Sequence, residues 1–430
     1  MDTPAGQSRI SYDGPASAEL TCQGCGRHGA QPFELALVRA GETGPWLSFF
    51  RCPDCASLTG KGDVGLHRQA SPYGALAGQL ARRTAVELFC SFGRQIYGLR
   101  SFRGFRPERM LDVGCGLGVG PDCASILYGC QATGIDPSED AAYAAKALSF
   151  PLIEAYYDPS APPAGGPFDL IQAWELIEHL ERPRAMIESF RSQLSPEGLL
   201  LLSTPAAEAV TRDADPAQVI GALAPPSHLH LFSERALVSL LRAAGFKEVE
   251  AERIGDQIVV AAGEVLPERC SAEEGWALYR DYLERRAATL PDGGDFKRGF
   301  QARRLFQALS EGGWREVDAL LAWFDRDLER CWNIILERDS ERLATLFASP
   351  PSPEKLTGLP IPLALVIFAQ ARQAQRSQDK ERAVSLFMLS AAAGRFTQAS
   401  LSPLGLMDVM LARLTERAAA FAEEMSAHAG

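Results

Sequence analysis

The chain has 430 residues and a formal net charge of −11, with 46% apolar and 23% charged residues. That length points to two or three domains. The acidic balance argues against a general nucleic-acid binder and against a protein of anionic membrane surfaces, since both need a net basic face. The opening MDTPAGQSRISYDG lacks the charged-then-apolar layout of a signal peptide, and no window approaches a membrane span, so a cytoplasmic protein is expected.

Paired cysteines come first along the chain. CQGC (Cys22, Cys25) and CPDC (Cys52, Cys55) are two knuckles with about 26 residues between them. Each puts two thiolates on one tight turn, and two such turns complete a tetrahedral four-sulfur site for zinc. Four thiolates fill the coordination sphere, so this zinc is expected to be structural. The segment between the knuckles reads as strands leading back to the second one, the layout of a zinc ribbon. Two disulfides would be out of place in a reducing compartment. His28 reads as lying outside the ligand set. Cys90, Cys115, Cys123, Cys130, Cys270 and Cys331 are scattered singly and read as small buried hydrophobes.

From about residue 80 to 265, apolar runs alternate with helical patterns. ERMLDVG, CQATGID, FDLIQAW and GLLLLSTP read as buried strands, separated by helical stretches such as 140–149 and 184–193. Strands this apolar, with helices between, predict a parallel sheet covered on both faces. FKEVEAERI and DQIVVAAGE have no helix between them and are expected to pair antiparallel at one edge. Ahead of them, SERALVSLLRAAGF offers Ser233 as N-cap and Gly245 as terminator.

The stretch RMLDVGCGLGVGPDC follows the first of these strands with Gly114, Gly116, Gly118 and Gly120. It lacks the Lys-Ser/Thr of a phosphate-cradling loop and fails the G-x-G-x-x-G spacing in both registers. Asp112, just ahead of the turn, would repel a pyrophosphate. A ligand with a positive end suits the loop better, and S-adenosylmethionine (SAM) carries a sulfonium and an ammonium. Asp136, ending the second strand in GIDPS, is placed to accept hydrogen bonds from both ribose hydroxyls. The two acids and the glycine turn thus bracket one adenosyl ligand.

LDVGCGLG (111–118), GIDPS (134–138), FDLIQAWELIEHL (168–180), SPEGLLLLSTP (195–205) and HLHLFSERALVSLLRAAGF (228–246) occur in this order. Together they resemble the class I SAM-dependent methyltransferases, in the subgroup of ubiquinone-type O-methyltransferases and many sugar and antibiotic methyltransferases. The resemblance implies a Rossmann-like α/β sheet, parallel with an antiparallel edge. It implies that Gly114 and Gly116 approach the cofactor with Gly118 in the same turn, Asp112 nearby and Asp136 on the ribose. Tyr157, Gln172 and Trp174 would line the rest of the site. The knuckled head joined to such a core also resembles the sugar C-methyltransferases, which continue into another α/β domain where this chain turns helical.

A hydroxyl acceptor benefits from a general base, and histidine suits neutral pH. His179, next to Glu178, follows the FDLIQAW strand and ranks first. His228 ranks second, and His230 reads as structural. By the same resemblance, Glu175, Glu178 and His179 are a candidate divalent-cation set.

After residue 267 the chain reads as helix almost throughout, broken by the proline-rich 348–362. The expected layout is a zinc-ribbon head (1–70), a methyltransferase domain (71–266) and an all-α domain (267–430). The expected function is SAM-dependent O-methylation of a sugar, glycan or related small metabolite, with SAM and structural zinc as cofactors. Sugar C-methylation and a non-catalytic SAM-binding adaptor are the alternatives, and the helical region offers a surface for a protein partner.

Overall fold

The computed structural model describes residues 8–39, 41–62, 74–88, 96, 98–404, 406 and 409–427; Cys90 lies outside them. The chain divides into two compact units, residues 1–68 with 95–275 and residues 69–94 with 276–430.

The first unit holds two sheets. One is antiparallel and is built from the cysteine-bearing segment. Its strands are β1 (Ser8–Ser11), β2 (Ser17–Thr21), β3 (His28–Arg39), β4 (Leu47–Arg51) and β5 (Leu58–Gly62). They run in the order β1-β3-β4-β5, with β2 also paired to β3. The sheet then continues onto a strand from far along the chain, β11 (His230–Leu231), which pairs antiparallel with Leu58 and Thr59.

The second sheet contains β6 (Arg109–Val113), β7 (Gln131–Ile135), β8 (Leu152–Ile153), β9 (Phe168–Trp174), β10 (Leu194–Pro205), β12 (Glu248–Ile254) and β13 (Gln257–Gly263). Its order is β12-β13-β10-β9-β6-β7-β8. The ladders from β8 to β10 are parallel, and β13 runs antiparallel to both β10 and β12. The expected parallel sheet with an antiparallel edge is therefore present. Its central strands are apolar because both faces are covered, and β10 is buried from Gly198 to Pro205.

One helix, α1 (Gly74–Glu87), precedes this sheet in sequence but groups with the second unit. Within the first unit, α2 (Val119–Tyr128), α3 (Glu139–Leu148), α4 (Pro183–Gln193), α5 (Pro216–Leu223) and α6 (Glu234–Ala243) connect the strands. Their ends follow local chemistry. Ser138 and Ser233 each accept a hydrogen bond from the third residue beyond, Ala141 and Ala236. Gly245, at φ +95°, follows α6 as the sequence suggested.

The apolar core of the ribbon is shared. Leu35, Leu37, Leu47, Phe49 and Leu58 pack with Val219, Ala222, Leu223 and Leu231, which come from α5 and β11. A ribbon of this size has too few apolar side chains to bury a core by itself, and the segment after β10 supplies the other half. Among the single cysteines, Cys115, Cys123 and Cys130 are buried as expected, whereas Cys270 is half-buried and Cys331 is exposed. Cys331 sits on a helix face turned to water, which residue type alone does not reveal.

The second unit is helical: α1 with α7 (Ala272–Thr289), α8 (Asp295–Glu311), α9 (Trp314–Trp332), α10 (Leu336–Ala348), the short α11 (Pro353–Leu356) inside the proline-rich break, α12 (Leu363–Arg376), α13 (Lys380–Leu401) and α14 (Val409–Ala427). Its interior contains an ion cluster. Arg298 donates from Nε to Asp327 at 2.8 Å and from a terminal nitrogen to Glu87 at 3.1 Å. Glu87 also accepts the backbone N–H of Ile361 at 2.9 Å. Arg298→Leu would remove the guanidinium that buried Glu87 and Asp327 share, leaving Glu87 with Arg83 and the Ile361 N–H and Asp327 with Arg330, so it is expected to destabilise the helical unit by about 3 kcal/mol. Urea unfolding followed by circular dichroism measures this, and a midpoint equal to wild type would contradict it.

Candidate functional site

The carboxyl ends of β6, β7, β9 and β10 meet at one edge of the large sheet, where open α/β sheets place their ligands. After β6 the chain turns sharply, with Gly114 at φ +72° and Gly116 at φ +50°. The Gly114 N–H donates to the Ile135 carbonyl at 2.8 Å and the Gly116 N–H to Asp136 Oδ2 at 2.9 Å. A Cβ added at Gly116 would meet nothing within 4 Å, so this side of the turn is open. Asp136 also accepts from the Ser138 N–H at 2.9 Å. Each of its oxygens keeps a lone pair for a further donor, which is what a ribose diol requires.

Gly118 and Gly120 serve packing. A Cβ at Gly118 would lie 2.0 Å from the Phe150 ring, and one at Gly120 would lie 2.4 Å from both Asp112 Oδ2 and Gln172 Nε2. The missing side chain at Gly120 lets the first turn of α2 close over a buried pair, in which Gln172 Nε2 donates to Asp112 at 3.2 Å. Asp112 Oδ1, Gln172 Oε1 and the Trp174 indole N–H are buried without a partner among the described residues. Unsatisfied polar atoms gathered beside an open turn are what a polar ligand with a cationic end would complete. Two of these three atoms are acceptors and one belongs to a carboxyl, a set that fits the cationic end of SAM better than a polyphosphate.

Tyr157 does not reach this edge. Its ring packs edge-on to Phe190 at 5.3 Å, and its hydroxyl lies 2.7 Å from Ser189 Oγ, inside the core beneath α4. Its neighbour Tyr156 is the exposed one, at 57%. Both tyrosines lie in the irregular segment after β8, where no strand period fixes which of two neighbours faces inward.

The histidines gather beside β9 and β10. Glu178 and His179 lie on a single 3₁₀ turn, Ile177–His179. His179 Nδ1 is 3.0 Å from the Ser227 carbonyl, and His228 Nδ1 is 2.8 Å from the Ala222 carbonyl. A carbonyl only accepts, so both Nδ1 atoms carry the proton. The two rings meet edge to face at 4.7 Å. His228 Nε2 faces Glu178 Oε1 at 3.8 Å, while Glu178 Oε2 accepts from Thr204 at 3.0 Å.

His179 is half-exposed, whereas Glu178 and His228 are buried. Burial holds the His179 pKa below its ordinary 6.5 and that of His228 down to about 4, with the neighbouring His179 adding to the second shift. Burial, and then the charge of Glu175, push Glu178 well above the usual carboxylate range. Glu175 itself is held at φ +52° and accepts from Ser203 Oγ at 2.7 Å. A non-glycine residue in the left-handed region beside such a cluster is strain stored at a functional position. His230 is not a member of the Glu178–His179–His228 group, and burial lowers its pKa to about 4 against an opposing hydrogen bond to the Leu180 backbone. Thr204, and the carbonyls of Ala222 and Ser227, were not singled out from sequence. A backbone carbonyl has no signature there, but Thr204 lay within the recognisable LSTP block.

The four knuckle cysteines come together as expected. Cys22 Sγ lies 3.4 Å from Cys55 Sγ and Cys25 Sγ lies 3.6 Å from Cys52 Sγ, with all four sulfurs within 4.8 Å of one another. A zinc–sulfur tetrahedron with bonds near 2.3 Å has edges of about 3.8 Å, so the set matches zinc in number, type and spacing.

Residues 91–251 match a family described as "Methyltransferase domain". With the sheet order and the glycine turn, this makes the region a class I SAM-dependent methyltransferase domain. Among curated proteins, the ubiquinone biosynthesis O-methyltransferase of Colwellia psychrerythraea is 30% identical over 118 residues, covering 26% of this chain and 47% of that protein. The mitochondrial ubiquinone biosynthesis O-methyltransferase of Saccharomyces cerevisiae is 36% identical over 107 residues, covering 23% and 34%. The chain therefore spans less than half the length of either relative. Among solved structures, human N-acetylserotonin methyltransferase in complex with SAM overlaps 44% of this chain and 57% of its own, at 17% identity and a TM-score of 0.34. No helix among the described residues is long and apolar enough to cross a membrane.

Burial, and then the charge of Asp136, push Asp112 from its ordinary 3.8 up to about 8, against the Gln172 hydrogen bond. A carboxyl raised in this way stabilises the fold below its unfolded pKa and loses that contribution as the pH rises towards 8. A cationic ligand beside Asp112 reverses the shift. SAM binding at pH 7 is thus expected to release up to about one proton and to tighten as the pH approaches 8. Calorimetry in buffers of different ionisation enthalpy reads this, and buffer-independent heats would place Asp112 away from the ligand.

Proposed function

We propose that this chain transfers the methyl group of SAM to a hydroxyl of a sugar, glycan or related small metabolite. The observation that carries the reading is His179: half-exposed, and backed by buried Glu178 and His228 at the same sheet edge as the glycine turn. SAM supplies an electrophilic methyl on its sulfonium. In this reading Asp136 holds the ribose, while Gly114, Gly116 and Asp112 lie along the methionine end. His179, neutral at pH 7 because burial lowers its pKa, takes the acceptor proton. Glu178 and His228 are too buried to meet a substrate and keep His179 in place. The open glycine turn and the placement of Asp136 speak against an adaptor that has lost its cofactor.

The test uses tritiated SAM and a panel of hydroxylated metabolites. His179→Asn is expected to lower turnover about 10²- to 10⁴-fold with SAM affinity nearly intact. The acid limb of wild-type turnover should lie below the ordinary imidazole value of 6.5. Asp136→Ala should instead weaken SAM binding, by roughly tenfold or more. Undiminished turnover in His179→Asn would remove the base assignment.

A second reading is favoured by the same cluster. Glu178, His179 and His228 each offer a ligand atom within 4.8 Å of the others, and Glu178 Oε1, which faces His228 Nε2 at 3.8 Å, has no hydrogen-bond partner among the described residues. A divalent cation there would supply Lewis-acid help in deprotonating the acceptor. Turnover unaffected by chelation would exclude it.

The four cysteines are proposed to hold a structural zinc. Metal analysis of the untagged chain should find about one zinc that exchanges only with loss of ribbon structure. A metal-free protein with the thiols free would contradict this.

A further inference from the structure

The groups that orient the two histidines both lie on one segment, and that segment rests on the cysteine ribbon. His179 is held by the Ser227 carbonyl and His228 by the Ala222 carbonyl. Ala222 belongs to α5, whose Val219, Ala222 and Leu223 pack on Leu35, Leu37, Leu47, Phe49 and Leu58 of the ribbon. Ser227 and His228 lead into Leu229, whose carbonyl accepts the Gly60 N–H of β5 at 2.9 Å and whose own N–H donates to the Glu178 backbone carbonyl at 2.9 Å. The next two residues, His230 and Leu231, pair with Thr59 and Leu58.

The segment is also clasped at both ends by residues flanking the second knuckle. At its start, Arg51, next to Cys52, donates to the carbonyls of Ala207 at 3.4 Å and Val210 at 2.7 Å. The same guanidinium donates to the Ala56 carbonyl, inside the knuckle, at 3.0 Å. At its end, the Ser233 N–H donates to Ser57 Oγ at 3.0 Å, and the Ser233 hydroxyl donates to the Cys55 carbonyl. Cys22, Cys52 and Cys55 pack against Ala236, in the first turn of α6. By contrast, the core beneath β6 and β7, with Leu111, Val113 and Ile135, contains no ribbon residue among the described residues.

We infer that the ribbon is the positioning element of the histidine pair: metal on Cys22, Cys25, Cys52 and Cys55 fixes the second knuckle, and the knuckle fixes the segment whose carbonyls orient His179 and His228. This rests on the four-cysteine metal site and on the acceptor-side placement of the two histidines. Arg51 is a positioning residue in the same sense, since it ties the knuckle to the start of the segment. Loss of the ribbon metal then disorders the acceptor half of the site and spares the cofactor half.

The experiment uses the full chain as wild type, Cys25→Ser and Arg51→Gln. Cys25 is the exposed member of the four, and Arg51→Gln leaves all four thiolates in place. Metal content is measured, SAM binding is titrated, and the imidazoles are followed by long-range ¹H–¹⁵N spectra. With six histidines in the chain, these spectra can be assigned by substitution. In Cys25→Ser the metal should be lost, and the Nδ1–H signatures of His179 and His228 should give way to averaged tautomers. Amide exchange at Leu229 and Ser233 should quicken by roughly tenfold or more, while SAM affinity stays within about threefold of wild type. Arg51→Gln should keep its metal and show the same changes to a smaller degree. Lost metal with unchanged imidazole spectra and unchanged exchange would overturn the inference. So would a tenfold loss of SAM affinity, which would make the ribbon a staple of the whole unit. The spectra are recorded without ligand, so they decide the ribbon's role whether or not SAM binds.

Discussion

The pairing of Leu58 and Thr59 with His230 and Leu231 joins parts of the chain more than 170 residues apart. It closes the small antiparallel sheet on one side and fixes the loop after β10 on the other. Without it, the ribbon would have an open strand edge and half an apolar core. The loop, for its part, would have no floor beneath α5. Neither part has enough buried surface to hold its shape by itself, and each completes the other. The proposed acceptor side of the site thus depends on backbone hydrogen bonds and apolar packing in the ribbon.

The cofactor side is built differently. It needs only a strand end, a turn with three glycines at positive φ and a second strand ending in an acid, all within 28 consecutive residues (109–136) of the large sheet. Polar atoms of Asp112, Gln172 and Trp174 lack hydrogen-bond partners among the described residues, and burial, reinforced by the charge of Asp136, raises the Asp112 pKa to about 8. A binding site whose charge balance is completed by its ligand responds to pH through that ligand. The histidine cluster, on the proposed acceptor side, follows a related logic, because burial lowers its imidazole pKa values while neighbouring carbonyls select which nitrogen carries the proton.

The helical unit solves another problem. Arg298, Glu87 and Asp327 are buried together, and Glu87 ties α1 to the turn before α12 through the Ile361 N–H. A buried charged group tolerates few alternative partners, so such a cluster selects one arrangement of helices among those that apolar packing alone would accept.

The sequence determined the elements whose signal is local. Asp112, the glycines after it and Asp136 are legible because a turn and two strand ends fix them within a few residues. The cysteine pairs are legible because two C-x-x-C turns already bring their thiolates halfway together. Alternating apolar runs gave the strands of the parallel sheet, and the close succession of 248–254 and 257–263 gave its antiparallel edge. Only the tertiary structure decided what depends on phase or on distant partners. It turned Tyr157 inward and Tyr156 outward, a choice between neighbours in the irregular segment after β8. It gave Gly118 and Gly120 to packing against Phe150 and the Asp112–Gln172 pair, although by composition they look like the ligand-side glycines. It merged the ribbon with the loop after β10, because two incomplete apolar faces lower their free energy by covering each other, and a pattern read along one segment cannot show which distant segment will do so.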